Sequence, residues 1–187
     1  MTTRAVSRSG VFLDRDGVLN APVIRSGKTY PPSRWEDVEI LPGVVDACRT
    51  LRNRGLLLIV ATNQPDIARG KTTEAELHRI NANLKVGIGL DDVCVCPHDD
   101  ADQCFCRKPK PGLLLDAAHR HGIDLSSSVM VGDRWRDIGA GRAAGCRTVF
   151  VDWGYDEERP LKPDLTVRSL AEAVTWILTC FEGKGST

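Results

Sequence analysis

VFLDRDGVLN, residues 11–20, joins a hydrophobic run to two aspartates and a glycine. A buried strand that ends in a carboxylate presents that carboxylate at the edge of a sheet, and Gly17 lets the chain turn directly afterwards. Asp14 and Asp16 can then work together, one as a nucleophile and the other as a proton carrier. A divalent cation can hold both carboxylates near a phosphate without mutual repulsion. The alternative is a simple aspartate–glycine turn, so the other strand ends must distinguish the two.

The composition predicts one domain over residues 1–187. A chain of 187 residues with 42% hydrophobic content can bury a sizeable core, and no glycine- or serine-rich linker divides it. Twenty-five basic residues balance twenty-five acidic residues, so no net field favours nucleic acid or an anionic membrane. The first ten residues lack a hydrophobic signal core, and no hydrophobic run approaches the roughly 20 residues that span a bilayer. We therefore expect a cytoplasmic monomer that acts on a small molecule.

Strand and helix patterns alternate along the chain. Short hydrophobic runs closed by polar or turn residues predict strands at residues 11–14, 56–62, 92–96, 128–133 and 147–152. Amphipathic patterns predict helices at residues 43–54, 73–84, 111–122, 135–144 and 169–177. This order predicts an α/β fold, with a Rossmann-like parallel sheet and helices on both faces. Residues 20–41 show no clear period and predict a flap or loop beside the site, and no gap has room for a cap domain.

Polar groups follow several of these strands at the edge where ligands bind in such folds. Thr62 and Asn63 end the second strand, and both side chains can bond a phosphoryl oxygen. Asp133 ends the fourth strand and Asp137 lies one turn into the next helix, a pair that suits magnesium. Lys108 precedes the third helix and can place a cation against the same phosphate. Each group alone is typical of a turn, a cap or a solvated loop, but together they predict a phosphate site.

Four segments carry a resemblance to a known family. DRDGVLN (residues 14–20), TNQ (62–64), RKPKPG (107–112) and GDRWRD (132–137) resemble, in order, the four motifs of the haloacid dehalogenase (HAD) superfamily. Within it, the chain is similar to the small, capless group of histidinol phosphatases and heptose-bisphosphate phosphatases. The resemblance implies a capless HAD fold with an inserted zinc loop and a magnesium-dependent phosphomonoesterase.

The resemblance also implies a role for each motif residue. Asp14 attacks phosphorus to give an aspartyl-phosphate, and Asp16 protonates the leaving oxygen and then activates water. Thr62 and Lys108 steady the phosphoryl oxygens. The implied magnesium ligands come from two strand ends, with one supporting carboxylate behind them: Asp14, the backbone carbonyl of Asp16, Asp133 and, in support, Asp137.

Residues 96–106 form a polar loop with three cysteines and one histidine. Tetrahedral zinc takes four thiolate or imidazole ligands, and a Cys-x-His pair followed after five residues by a Cys-x-Cys pair allows this geometry. The predicted ligands are Cys96, His98, Cys104 and Cys106. Free cysteines and a surface histidine are the alternative, although the loop gives them no hydrophobic setting. The same pairs occur in the phosphatases that the chain resembles. Four protein ligands leave no position for substrate on the ion, so the zinc is predicted to be structural and to fold the loop that holds Arg107 and Lys108.

Two features bear on which phosphate ester is hydrolysed. The IARG segment, residues 67–70, and the Pro-Gly pair after RKPK resemble the heptose-bisphosphate enzymes, which implies removal of the 7-phosphate of D-glycero-D-manno-heptose 1,7-bisphosphate. The short zinc loop is similar to that of the histidinol-phosphate enzymes, and Pro65-Asp66 stands where the family usually has Ser-Gly. Histidinol phosphate is therefore the alternative substrate. A phosphatase-like, zinc-stabilised binding protein and a polynucleotide 3′-phosphatase are more remote alternatives.

A bisphosphate needs a second anion site in addition to the catalytic one. Arg107 is predicted to bind substrate together with Asn63, because the zinc loop fixes its position. The other basic candidates are each more typical of a solvated surface charge: Arg69, Lys110 and the loop with Arg25 and Lys28.

Overall fold

The computed structural model describes residues 8–25 and 28–181. Strands and helices alternate as predicted. The strands are β1 (Gly10–Leu13), β2 (Val23–Arg25), β3 (Lys28–Tyr30), β4 (Leu57–Asn63), β5 (Asp92–Cys96), β6 (Val129–Gly132), β7 (Arg147–Val151) and β8 (Leu165–Val167). The α-helices are α1 (Val44–Asn53), α2 (Glu74–Ile88), α3 (Gly112–His121), α4 (Trp135–Ala143) and α5 (Leu170–Thr179).

Six of the strands form one parallel sheet in the order β5-β4-β1-β6-β7-β8. The first strand lies inside the sheet, where Leu13 pairs with Val60 of β4 and Val131 of β6. Because all six strands run the same way, their carboxyl ends meet at one edge. This confirms the predicted α/β fold and places the residues after β1, β4 and β6 side by side.

The sheet carries a hydrophobic core on each face. Successive residues of a strand point to opposite faces, and accordingly Leu13 belongs to one core cluster and Phe12 to the other. The first cluster contains buried residues of α1, α2 and α5, and the second contains those of α3 and α4. Helices thus cover both faces, as predicted, and the strand interiors are close to continuously hydrophobic because both of their faces are buried.

Residues 20–41 form more than the loop that their sequence predicts. Within them β2 and β3 pair as an antiparallel hairpin, and Asn20 bridges to Ile40 at the base of the segment. Pro22, Thr29, Tyr30 and Pro31 line the main pocket, so the segment lies beside the site as predicted. The strand β8 was not predicted, because three residues at the edge of a sheet give too short a pattern.

No helix in residues 8–25 and 28–181 combines the length and the hydropathy that a bilayer crossing requires.

Candidate active site

The carboxyl edge of the sheet gathers the residues that the four motifs predict. Asp14 directly follows β1, Asp133 directly follows β6, and Thr62 and Asn63 close β4. Lys108 comes from the segment between β5 and α3. The pocket at this edge has a volume of about 330 Å³, and its walls include the predicted residues Asp14, Asp16, Asn63, Arg107, Lys108, Asp133 and Asp137. The motifs therefore converge on one pocket.

Lys108 is buried at the centre of the site. Its Nζ donates to Asp14 Oδ1 at 2.8 Å and to the backbone oxygen of Ala61 at 2.7 Å, and it lies 2.5 Å from Asp137 Oδ1. Burial lowers the pKa of Lys108, but the carboxylates of Asp137 and Asp14 outweigh it and hold that pKa above its usual value. The lysine is therefore a fixed cation between the β1 aspartate and α4.

Three buried carboxylates surround this single lysine. Oxygens of Asp14, Asp133 and Asp137 all lie within 4.8 Å of one another. Burial, together with the neighbouring carboxylates, outweighs the opposing charge of Lys108, so the pKa of Asp14 is raised to about 6 and the pKa of Asp133 lies well above its usual value. In the part of the chain that the structure describes, Asp133 Oδ1 is buried without a hydrogen-bond partner. The excess of buried negative charge and the unpaired oxygen fit a small divalent cation.

Asp137 is engaged on both of its oxygens. Its Oδ1 faces Lys108, and its Oδ2 accepts a hydrogen bond of 3.0 Å from the backbone N–H of Arg134 at the start of α4. A Cβ atom on Gly132 would lie 2.0 Å from the Asp137 Cβ, so only glycine permits this approach. This geometry suits a residue that supports the cation site and does not bind the ion directly.

Gly17 meets two requirements of the turn after the aspartate pair. Its φ of +89° lies in the region that favours glycine, and a Cβ there would lie 2.0 Å from Asp133 Oδ2. The glycine that sequence alone assigned to a turn therefore also lets Asp133 approach the β1 loop.

Asp16 is held by a network that the sequence analysis did not identify. Its carboxylate accepts hydrogen bonds from Arg15 at 3.0–3.2 Å, from Asn20 Nδ2 at 3.0 Å and from Gln64 Nε2 at 2.8 Å. The Gln64 amide also donates to Thr62 Oγ1 at 2.9 Å, which links the two motif residues. Two features of the sequence could have indicated this network. Arg15 lies between the two aspartates, and Gln64 lies two residues after Thr62, which puts both side chains on the same face of an extended chain.

Asn63 lies in the pocket wall, and its amide is paired with the backbone of Lys108. Asn63 Oδ1 accepts from the Lys108 N–H, and Asn63 Nδ2 donates to the Lys108 carbonyl, both at 3.0 Å. This reciprocal pair fixes the backbone that carries the central lysine.

The predicted zinc ligands form a compact cluster at the carboxyl end of β5. Measured distances are 3.6 Å for Cys96–Cys104, 3.2 Å for Cys96–Cys106 and 3.4 Å for Cys104–Cys106, between sulfur atoms. His98 Nδ1 lies 3.7 Å from the Cys96 sulfur and 3.3 Å from the Cys106 sulfur. A tetrahedron with zinc–sulfur bonds of about 2.3 Å and zinc–nitrogen bonds of about 2.0 Å has edges of roughly 3.5–3.8 Å. The cluster is thus compatible with zinc.

Basic residues proposed for a second anion site differ in their partners. The guanidinium group of Arg69 is paired with both oxygens of Asp99 at 2.7 and 2.8 Å, and Lys110 donates to backbone carbonyls of the zinc loop. Arg107 lines the pocket and donates to Asp100 at 2.8 Å. The structure does not describe the side chains of Arg25 and Lys28.

Comparison with known proteins gives one family match and close relatives over nearly the full chain. Residues 105–173 match the HAD-hydrolase-like family. The D-glycero-D-manno-heptose-1,7-bisphosphate 7-phosphatase of Thermosynechococcus vestitus is 37% identical, over 92% of this chain and 96% of that protein. The D-glycero-beta-D-manno-heptose-1,7-bisphosphate 7-phosphatase of Escherichia coli K12 is 35% identical, over 93% of this chain and 90% of that protein.

Solved structures show the same similarity in three dimensions. The D,D-heptose 1,7-bisphosphate phosphatase of B. bronchiseptica, in complex with magnesium and phosphate, superimposes with a TM-score of 0.76 at 29% identity. The alignment covers 91% of this chain and 98% of that one. A putative HAD-like phosphatase from Mesorhizobium loti gives a TM-score of 0.75 at 28% identity, over 93% of this chain and 88% of that one.

Proposed function

Because the chain belongs to the HAD-like hydrolases, in the family of the heptose-1,7-bisphosphate 7-phosphatases, we propose that it hydrolyses the 7-phosphate of D-glycero-D-manno-heptose 1,7-bisphosphate. The observation that carries the proposal is the convergence of Asp14, Lys108 and Asp133 in one pocket at the carboxyl edge of the sheet. The substrate follows from the relatives, and the phosphoryl chemistry follows from the side chains.

Asp14 acts as the nucleophile in this mechanism. One carboxylate oxygen is held by Lys108 and the other attacks phosphorus in line, forming a P–O bond to the aspartate as the bond to the sugar oxygen breaks. Lys108 then faces the phosphoryl oxygens as well as the attacking group. The buried hydroxyl of Thr62 would donate to the same phosphoryl group, since it already accepts a hydrogen bond from Gln64 and keeps its own proton free.

Asp16 carries the proton in both half-reactions. It gives a proton to the leaving sugar oxygen, and later takes one from the water that attacks the aspartyl-phosphate and returns Asp14 to its free form. The hydrogen bonds from Arg15, Asn20 and Gln64 fix the direction in which its carboxylate points. Because these hydrogen bonds hold its carboxylate, Asp16 stays beside the nucleophile Asp14 through both steps.

Mg²⁺ is the cation that this donor set fits. It would be held by the carboxylates of Asp14 and Asp133 and the backbone carbonyl of Asp16, with Asp137 supporting the site through Lys108 and the start of α4. When bound, it supplies the positive charge that allows a phosphate and a buried carboxylate to meet.

Zn²⁺ is proposed for the cluster of Cys96, His98, Cys104 and Cys106. Four ligands close the coordination shell, so the ion would stabilise the loop and leave the reaction to the other site. The loop lies between β5 and the Arg107–Lys108 pair, so its folding sets the position of both side chains.

We also propose that residues 1–187 act as one domain, with the zinc loop at 96–106, in a cytoplasmic monomer. In the described residues, 8–25 and 28–181, none of the seven cysteines forms a disulfide, which suits a reducing compartment. Residues of a single chain form the pocket of about 330 Å³, which is large enough for a small ligand, so the proposed substrate site needs no second chain.

The test compares kcat/KM for the α and β anomers of heptose 1,7-bisphosphate with that for histidinol phosphate, using phosphate release as the signal. We expect a heptose anomer to be preferred and the activity to require Mg²⁺ and to disappear in EDTA. A preference for histidinol phosphate would overturn the substrate and leave the mechanism standing. No phosphate release from any ester, including p-nitrophenyl phosphate with Mg²⁺, would overturn the enzyme itself.

A further inference from the structure

Arg136 is a pocket residue that the motif analysis did not single out. It lies in the first turn of α4, three residues after Asp133 and one before Asp137, and its side chain lines the pocket. Its guanidinium group lies over the ring of Trp135 at 5.1 Å, which holds the side chain in place. The helix that carries the supporting carboxylate of Asp137 therefore also directs an arginine to the pocket.

Two arginines meet at one carboxylate oxygen on this wall. Arg136 Nη1 donates to Asp100 Oδ1 at 2.7 Å, and Arg107 Nε donates to the same oxygen at 2.8 Å. Hydrogen bonds from Arg107 and Arg136 hold the pKa of Asp100 well below its usual range. Asp100 offsets the repulsion between the two guanidinium groups, and the shared contact shows that both arginines can bind one anionic oxygen at this part of the wall.

The arginine pair still has donors for a larger anion. Within residues 8–25 and 28–181, the one hydrogen bond of the Arg136 side chain is that from Nη1 to Asp100. A guanidinium group has five N–H donors, so most of those on Arg136 remain available. Asp100 itself is 57% exposed, and a phosphate monoester brings more charge and more acceptor oxygens than one solvated carboxylate.

The other basic side chains near the pocket are less suited to this role. Arg69 is matched by both oxygens of Asp99. Arg134 donates to Glu157 at 3.0 Å and to Thr29 at 2.5 Å. Arg107 already donates to the backbone oxygen of His98 as well as to Asp100. Among the pocket arginines that the structure describes, Arg136 therefore has the largest number of N–H donors without a protein partner.

We propose that Arg136 is a specificity-determining residue that binds, with Arg107, the second phosphate of a sugar bisphosphate. The inference rests on the proposed function and adds the residue that distinguishes a bisphosphate from a monophosphate. The reacting phosphate binds at Asp14 and Lys108, and the second phosphate binds on the wall formed by α4 and the zinc loop, displacing or joining Asp100.

The test is the ratio of kcat/KM for heptose 1,7-bisphosphate to kcat/KM for heptose 7-phosphate, measured for the wild type and Arg136→Gln. The loss of a charged hydrogen bond to phosphate predicts that the ratio falls by about tenfold to a hundredfold. Arg136→Met keeps the aliphatic stem over Trp135 and should lower the ratio equally. Arg79→Gln is the matched control, because Arg79 is a half-exposed, ion-paired arginine on α2 away from the pocket, and it should leave the ratio unchanged.

The outcomes separate this inference from the proposed function. A wild-type enzyme that prefers the bisphosphate, with a reduced ratio in both Arg136 variants, supports the inference. A wild-type preference that survives in Arg136→Gln or Arg136→Met overturns the inference alone. A wild-type enzyme that does not prefer the bisphosphate, while still hydrolysing p-nitrophenyl phosphate, overturns the proposed substrate and the inference with it.

Discussion

Asp14 and Lys108 form a buried ion pair at the carboxyl edge of the sheet, with 2.8 Å between Oδ1 and Nζ and side-chain exposures of 11% and 2%. Residues 94 positions apart are joined because Asp14 directly follows β1 and Lys108 lies two residues after the zinc loop. The pair orients the proposed nucleophile and offsets part of its charge, so it links the fold of the loop to the chemistry of the strand.

Replacing the lysine should therefore affect both stability and activity. In Lys108→Met, Asp14 and Asp137 lose their shared cation, and we expect the free energy of unfolding without added Mg²⁺ to fall by about 3–5 kcal/mol. Urea denaturation measures this change, with Lys85→Met on the exposed face of α2 as the control. Phosphatase activity should be lost as well. A Lys108→Met protein as stable as the control would show that the ion pair contributes nothing to folding.

The nucleophile can be tested by removing one negative charge without changing size. Asp14→Asn should reduce kcat for p-nitrophenyl phosphate by about a thousandfold or more, because an amide cannot form the covalent intermediate. The fold should be retained, since burial already disfavours the charged form of Asp14. Circular dichroism and the thermal midpoint check the fold. An Asp14→Asn protein that keeps about one tenth or more of the wild-type activity would exclude Asp14 as the nucleophile.

Gln64 is expected to act by positioning Asp16. In Gln64→Leu, Asp16 loses its 2.8 Å hydrogen bond and Thr62 loses its link to the same network. We expect kcat to fall by about tenfold with little change in KM, because the misplaced group acts in the chemical step. Asn83→Leu, which removes an exposed amide from α2, is the control. A rise in KM with kcat unchanged would instead assign Gln64 to substrate binding.

Zinc removal should lower stability and activity together. Elemental analysis is expected to find one zinc per chain in the wild type and a loss of zinc in Cys104→Ser, with a lower thermal midpoint. Cys180→Ser is the matched control, because Cys180 is a partly buried cysteine outside the cluster. Full activity and an unchanged midpoint in a zinc-free protein would contradict the proposed role of the loop.

The sequence was sufficient for the fold and for much of the site. Hydrophobic runs marked five of the six strands of the sheet, and each motif residue follows or closes one of them or precedes a helix. The carboxyl ends of parallel strands lie at one edge of a sheet. Asp14, Thr62 and Asp133 could therefore be placed near one another from the sequence alone. The Cys/His cluster was predictable for a different reason, because all four of its residues lie within one short segment.

The features that sequence did not reveal depend on contacts between distant segments. The hairpin of β2 and β3 has only three residues in each strand, too few for a clear alternation. Arg136 meets Asp100 across 36 positions, and Gln64 meets Asp16 across 48. A basic or amide side chain gives no sign in the sequence of which distant acid it will face, so these partners required the three-dimensional structure.

The zinc loop supplies Asp99 and Asp100, which hold three arginines at the pocket, whereas the proposed nucleophile and proton carrier belong to the loop after β1. In the proposed function, ester selectivity and bond cleavage thus depend mainly on different segments, which the Asp14–Lys108 ion pair connects. Exchanging the five residues between His98 and Cys104 for a longer insert offers a route to new ester preferences, provided that the insert keeps the Cys/His cluster that precedes Lys108.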